Sequence, residues 1–104
     1  MADHTVVCIL EARPGQEETL KEALQKVVTP SRREPTCLEY RLHQCKDNPA
    51  KFILYENWTS AADHEKQFEK PYILNLIKQC ENILNGPYDV FFAKELTIPQ
   101  AQAA

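Results

Sequence analysis

Apolar positions along this chain alternate between a repeat of two and a repeat near 3.6. Residues 5–12, Thr-Val-Val-Cys-Ile-Leu-Glu-Ala, are a β-branched apolar run that stops at the turn Arg13-Pro14-Gly15. The run is apolar on both faces, which predicts a central strand covered on both sides. The period then lengthens. Leu20, Ala23, Leu24, Val27 and Val28 fall on one stripe of an amphipathic helix over 16–29, with Glu17 and Glu18 in the first turn and Pro30 as the stop. Residues 37–45 alternate: Leu38, Tyr40 and Leu42 share one face, and Cys37, Glu39, Arg41 and His43 the other. The turn cluster Lys46-Asp47-Asn48-Pro49 leads into a return strand over 51–58.

Thr59-Ser60 offers an N-cap to a second helix running to about Lys70, and Asp63 completes a weak capping box. Pro71 suits the first position of another helical piece, whose stripe is Ile73, Leu76, Ile77, Cys80 and Leu84. Asn85-Gly86-Pro87 ends it, and residues 88–96 give a last strand. The order is β-α-β-β-α-β, which predicts an α+β, ferredoxin-like domain with a four-stranded antiparallel sheet and its helices on one face. One domain is expected over 1–98, with a flexible tail over 99–104. The other sheet face, fed by strands one, three and four, is too apolar for water, so a homodimer is expected. Glu39, Arg41 and His43 then line the seam or its rim; the alternative is a monomer with that set solvated.

Composition narrows the function classes. The 104 residues carry a net charge of −3 with scattered cations, which argues against a nucleic-acid partner. No segment approaches the roughly 20 apolar residues of a membrane span. The start lacks the layout of a secretory signal, so a cytoplasmic location is expected. The four cysteines, Cys8, Cys37, Cys45 and Cys80, form no Cys-x-x-Cys pair and no zinc spacing. They are read as small hydrophobes, with no metal. Asn57-Trp58-Thr59 is read as a chance glycosylation sequon. Two glycines leave no room for a nucleotide-cradling loop, and no hydrolase triad is visible.

Specific residues carry a resemblance. Ser31-Arg32-Arg33-Glu34-Pro35-Thr36-Cys37-Leu38-Glu39-Tyr40 resembles the "SR-x-EPGC-x-x-Y" approach to strand two of the antibiotic biosynthesis monooxygenase family. Tyr55-Glu56-Asn57-Trp58 resembles its "YE-x-W" signature, and Pro14-Gly15 its "PG" before the first helix. The resemblance covers about residues 5–95. It implies a dimeric α/β barrel and a cofactor-independent monooxygenase acting on a small planar phenol or quinol. Such a substrate passes an electron to oxygen once deprotonated, and the protein binds it, favours its anion and excludes water. The sequence departs from the family at Thr36, where glycine is usual, and at Gln67 and Tyr72, where the "H-x-x-x-PH" pattern has histidines. The alternative is therefore a non-catalytic small-molecule-binding or stress-response dimer; an isomerase is a weaker third reading.

The candidate catalytic residues are His64, Trp58 and Tyr72, and the candidate substrate-binding residues are Glu56, Gln67, Phe68 and Tyr40. Trp58 suits stacking on a planar ligand, or ordinary core packing. Glu56 shares its strand face and suits either a base or, the favoured reading, a cross-strand ion pair with Arg41. His64 lies one turn before Gln67, on a face with Ala61 and Phe68, where it replaces the missing base or, as residue type favours, is a hydrogen-bonded, half-buried histidine. Tyr72 donates a hydrogen bond but is a poor base, and Gln67 only orients or polarises. His4 is assigned no role.

Overall fold

The computed structural model describes residues 4–97. The expected tail over 99–104 and the start Met1–Asp3 lie outside the described residues. The elements are β1 (His4–Glu11), α1 (Glu17–Arg32), β2 (Cys37–Gln44), β3 (Lys51–Trp58), α2 (Ala61–Lys66), a 3-10 turn (Gln67–Glu69), α3 (Pro71–Ile83) and β4 (Asp89–Ala93). The four strands form one antiparallel sheet in the order β2-β3-β1-β4. This is the ferredoxin-like arrangement that the element order predicts.

Strand parity decides where the core sits. Val6, Cys8 and Leu10 of β1 and Phe52, Leu54, Glu56 and Trp58 of β3 all point to the helix side and are buried. Leu20, Ala23, Leu24 and Val27 of α1 close over them, and Leu20 and Leu24 are wholly buried. Each such leucine contributes roughly 2 kcal/mol. β1 is central, as expected, but one chain covers only one of its faces. Val7 and Ile9 on the other are half-buried, beside Phe91, which stays exposed.

Several local expectations are corrected. α1 continues through Pro30 to Arg32. Proline removes only its own N–H, and the last turn is held from outside: Ser31 is wholly buried and the Arg32 Nε donates to the Tyr40 carbonyl at 2.9 Å. In β2 the pairing shifts between Cys37 and Glu39. The irregularity places Cys37 opposite Trp58 on the helix side, and Leu38 is 52% exposed instead of sharing the face of Tyr40. The second helix stops at Lys66, and Lys70 is extended because the following Pro71 disfavours a helical residue before it. In α3, Ile83 joins Ile73, Leu76 and Cys80 in the core, while Ile77 is partly exposed. β4 is shorter than the 88–96 run, and its helix-side residues Val90 and Phe92 are exposed at the edge of the sheet. No helix of the described residues is long and apolar enough to cross a membrane.

Candidate active site

β3 positions the first two members of the site. Glu56 and Trp58 are two residues apart on one strand, so both project under the helices. Trp58 is 1% exposed and Glu56 5%. The indole Nε1–H donates to the Glu56 Oε1 at 2.8 Å. α2 supplies the third. The Ser60 hydroxyl accepts from the Asp63 N–H at 3.1 Å, Asp63 accepts from the Thr59 and Ser60 hydroxyls, and the His64 N–H donates to the Ser60 carbonyl at 3.1 Å. That capped first turn fixes His64, which is 4% exposed, with its Nε2 3.7 Å from the Glu56 Oε1.

Aromatic groups surround the pair. The His64 ring lies 5.4 Å from Trp58, meets Phe68 edge-on at 5.2 Å, and approaches Phe92 at 6.0 Å. His4 joins them, 5.5 Å from His64 and 5.0 Å from Phe92. The sequence reading missed His4. The signal was available, because His4 continues the every-second-residue face of Val6, Cys8 and Leu10.

Burial sets the electrostatics. It pushes the Glu56 carboxyl up to about 7, against the smaller opposing pull of the Trp58 N–H. It pushes His64 down to about 4, and the nearby His4 adds to this. Between about pH 4 and 7 the pair therefore holds one proton in an uncharged carboxylic acid–imidazole arrangement, and near neutral pH about half of the Glu56 carboxyls are ionised and able to accept a proton. Cys8 and Cys37 are poor nucleophiles, because burial raises their thiols to about 12 and about 11.

The expected Glu56–Arg41 ion pair is absent. Arg41 lies opposite Tyr55, and Glu56 lies opposite Tyr40. A register one residue away from the expected one sends the two charges to opposite faces of the sheet. Arg41 instead meets Glu39 at 2.7 Å on the open face, which also carries His43.

The remaining candidates form a second cluster. The Gln67 Nε2 donates to the Ser31 Oγ at 2.9 Å, and both residues are buried. The Tyr72 hydroxyl donates to the Glu34 Oε2 at 3.0 Å, with the Lys70 Nζ 3.5 Å from Oε1 of the same carboxylate. Ser31 also faces Tyr40, a buried phenol whose pKa burial raises. Gln67 and Tyr72 thus tie the end of α1 to the helices rather than replacing histidines beside Glu56. A small cavity of about 160 Å³ lies behind Trp58, between Glu34 and Lys66. A larger one, about 880 Å³, opens at the far end of α3. Among the described residues no three metal-ligating side chains converge.

Residues 4–79 match the profile of the family described as antibiotic biosynthesis monooxygenase. The chain belongs to this family. As a member of the antibiotic biosynthesis monooxygenase family it is similar to Rv0793 of Mycobacterium tuberculosis, provisionally named a monooxygenase, at 27% identity over 85 residues, 82% of this chain and 83% of that one. It is 24% identical over 81 residues to the uncharacterized protein sll1783 of Synechocystis, and that match spans only 55% of the longer protein. The crystal structure of PA3566 from Pseudomonas aeruginosa superimposes with a TM-score of 0.89 at 28% identity, covering 93% of this chain and 97% of that one. Rv0793 itself shares the fold, with a TM-score of 0.81.

Proposed function

We propose that this family member is a cofactor-independent monooxygenase whose base is Glu56. A single observation carries the reading: a buried carboxyl poised near neutral pH, held by Trp58 and set beside His64. A general base works best when its pKa lies near the operating pH. The substrate class is a small planar phenol or quinol. Its ring stacks among Phe68 and Phe92, both partly exposed, and its hydroxyl points at Glu56. Glu56 accepts the phenolic proton, with the positive charge kept off His64. The phenolate then passes electrons to molecular oxygen. At a ring C–H of the quinol, one oxygen atom becomes the oxygen of a new hydroxyl on the resulting quinone, and the other leaves as water with two of the substrate's hydrogens. The substrate supplies every electron, so the balance needs no external reductant. The role differs from the sequence expectation in making Glu56, rather than His64, the base; His64 and Trp58 position it.

The working unit in this proposal is a homodimer joined through the open sheet face. Val7, Ile9 and Phe91 supply apolar surface there, and Glu39, Arg41 and His43 supply the rim.

Oxygen uptake by pure protein with reduced quinones tests the reading. Glu56→Gln is expected to lower uptake roughly 10²-fold, in line with the loss of a general base. Uptake by the native protein that stays at the rate of the Glu56→Gln control defeats the proposal. One observation favours the non-catalytic binding dimer instead: Glu56 and His64 are both nearly sealed, at 5% and 4% exposure. Saturable binding of a quinol without oxygen uptake is the outcome that reading predicts.

A further inference from the structure

The cavity of about 880 Å³ lies away from Glu56, where the end of α3 meets the turn after β1. Its size is in the range of small-molecule sites, roughly 300–1,000 Å³. Ile77, Cys80, Leu84 and Tyr88 give it apolar walls, and Arg13 and Glu81 are charged groups at its lining. Ile77 and Tyr88 are 39% and 45% exposed, so these large side chains leave apolar area uncovered in the chain.

Arg13 is unusually constrained for a surface arginine. Its backbone N–H donates to the Ile83 carbonyl at 2.8 Å, and its carbonyl accepts from the Gln16 N–H at 2.9 Å. Its side-chain Nε donates to the Leu84 carbonyl at 2.9 Å. The Ala12–Leu84 bridge and the Asn85 N–H to the Glu11 carbonyl, at 2.8 Å, hold both sides of the junction. With Nε engaged, the two terminal nitrogens remain as a planar fork, the geometry that grips a carboxylate through two bonds. No ion pair to Arg13 occurs among the described residues. A guanidinium already held by the Leu84 carbonyl loses little freedom when an anion docks.

We infer that this cavity binds an aromatic organic acid, its ring against Ile77, Leu84 and Tyr88 and its anionic group on the fork of Arg13. Charge complementarity selects the anion. Glu81 opposes it and limits the site to a single negative charge placed on the Arg13 side. The inference stands on the cavity and Arg13 and does not draw on the chemistry proposed at Glu56, so either can fail alone.

Two dyes with the same body separate the terms. 8-Anilinonaphthalene-1-sulfonate carries an anion, and N-phenyl-1-naphthylamine lacks it. Titration of the full chain by dye fluorescence is expected to show the sulfonate binding about ten-fold more tightly. Arg13→Gln should erase that preference and leave the neutral dye unchanged, which also reports that the cavity is still folded. Arg13→Lys should retain part of the preference, and Glu81→Gln should tighten the sulfonate about three-fold. Ile77→Trp, which fills the cavity, should weaken both dyes at least five-fold. Equal affinity for the two dyes in the native protein overturns the inference. So does a sulfonate preference that survives Arg13→Gln, or binding of both dyes that survives Ile77→Trp. If Arg13→Gln fails to fold, the native comparison of the two dyes and the Ile77→Trp result decide the matter.

Discussion

At the scale of single residues, the protein's pH behaviour is concentrated in Glu56 and His64. Glu56 has a folded pKa near 7, above its ordinary 4.5, so the folded state keeps a proton that the unfolded chain releases. Its contribution is full below pH 4.5 and is lost as pH rises to about 7. His64 is the reverse. Its folded pKa near 4 lies below the ordinary 6.5, so its contribution is full above 6.5 and is lost as pH falls to about 4. The two slopes oppose each other, and native stability is expected to be nearly flat between pH 4.5 and 6.5. Single variants should uncover each slope. Glu56→Gln should gain roughly 3 kcal/mol between pH 4 and 6.5, and His64→Gln should lose roughly 3 kcal/mol between pH 4.5 and 7, both by urea denaturation. Flat profiles in both variants would mean that the burial of this pair does not perturb its protons. Sequence alternation put Glu56 and Trp58 on one face correctly. It could not exclude Arg41 as the partner, because hairpin register depends on the turn between strands and a shift of one position reverses every side chain.

At the scale of elements, the position of His64 depends on one cap. Ser60 starts α2, and six residues of helix cannot stand alone without tertiary support. Ser60→Ala is expected to lower stability by about 1 kcal/mol, measured by thermal or urea unfolding. Because the Ser60 hydroxyl caps the turn that holds His64 against Trp58, the same change should also perturb the fluorescence of Trp58, the only tryptophan in the chain. A loss of stability with unchanged emission would separate the cap from the site. The cap was legible because Ser60 and Asp63 carry it within four residues. The end of α1 was not: Pro30 is a local stop signal, yet buried Ser31 and the Arg32–Tyr40 contact extend the helix beyond it. The bulge in β2 was hidden for a similar reason. The pattern from Cys37 to His43 reads as unbroken alternation, and only pairing with Trp58 shows where it slips.

At the scale of the whole molecule, the sheet has one covered face. The other carries Val7, Ile9, Ile53, Tyr55 and Phe91 around the charges of Glu39 and Arg41. Sedimentation is expected to give twice the chain mass of 12.0 kDa, and Phe91→Arg should shift the population to monomer by placing a desolvated charge in the seam. A native mass near that of one chain would defeat the pairing. The sequence by itself determined the element order, the helix-side core and the co-facial Glu56 and Trp58, because hydrophobic period and chain reversal are local properties. The tertiary structure decided which charges meet, where Pro30 and Leu38 end up, and that His4 joins His64 while Gln67 and Tyr72 turn to Ser31 and Glu34. Those outcomes depend on register, bulges and helix docking, which are set by contacts between residues far apart in the chain.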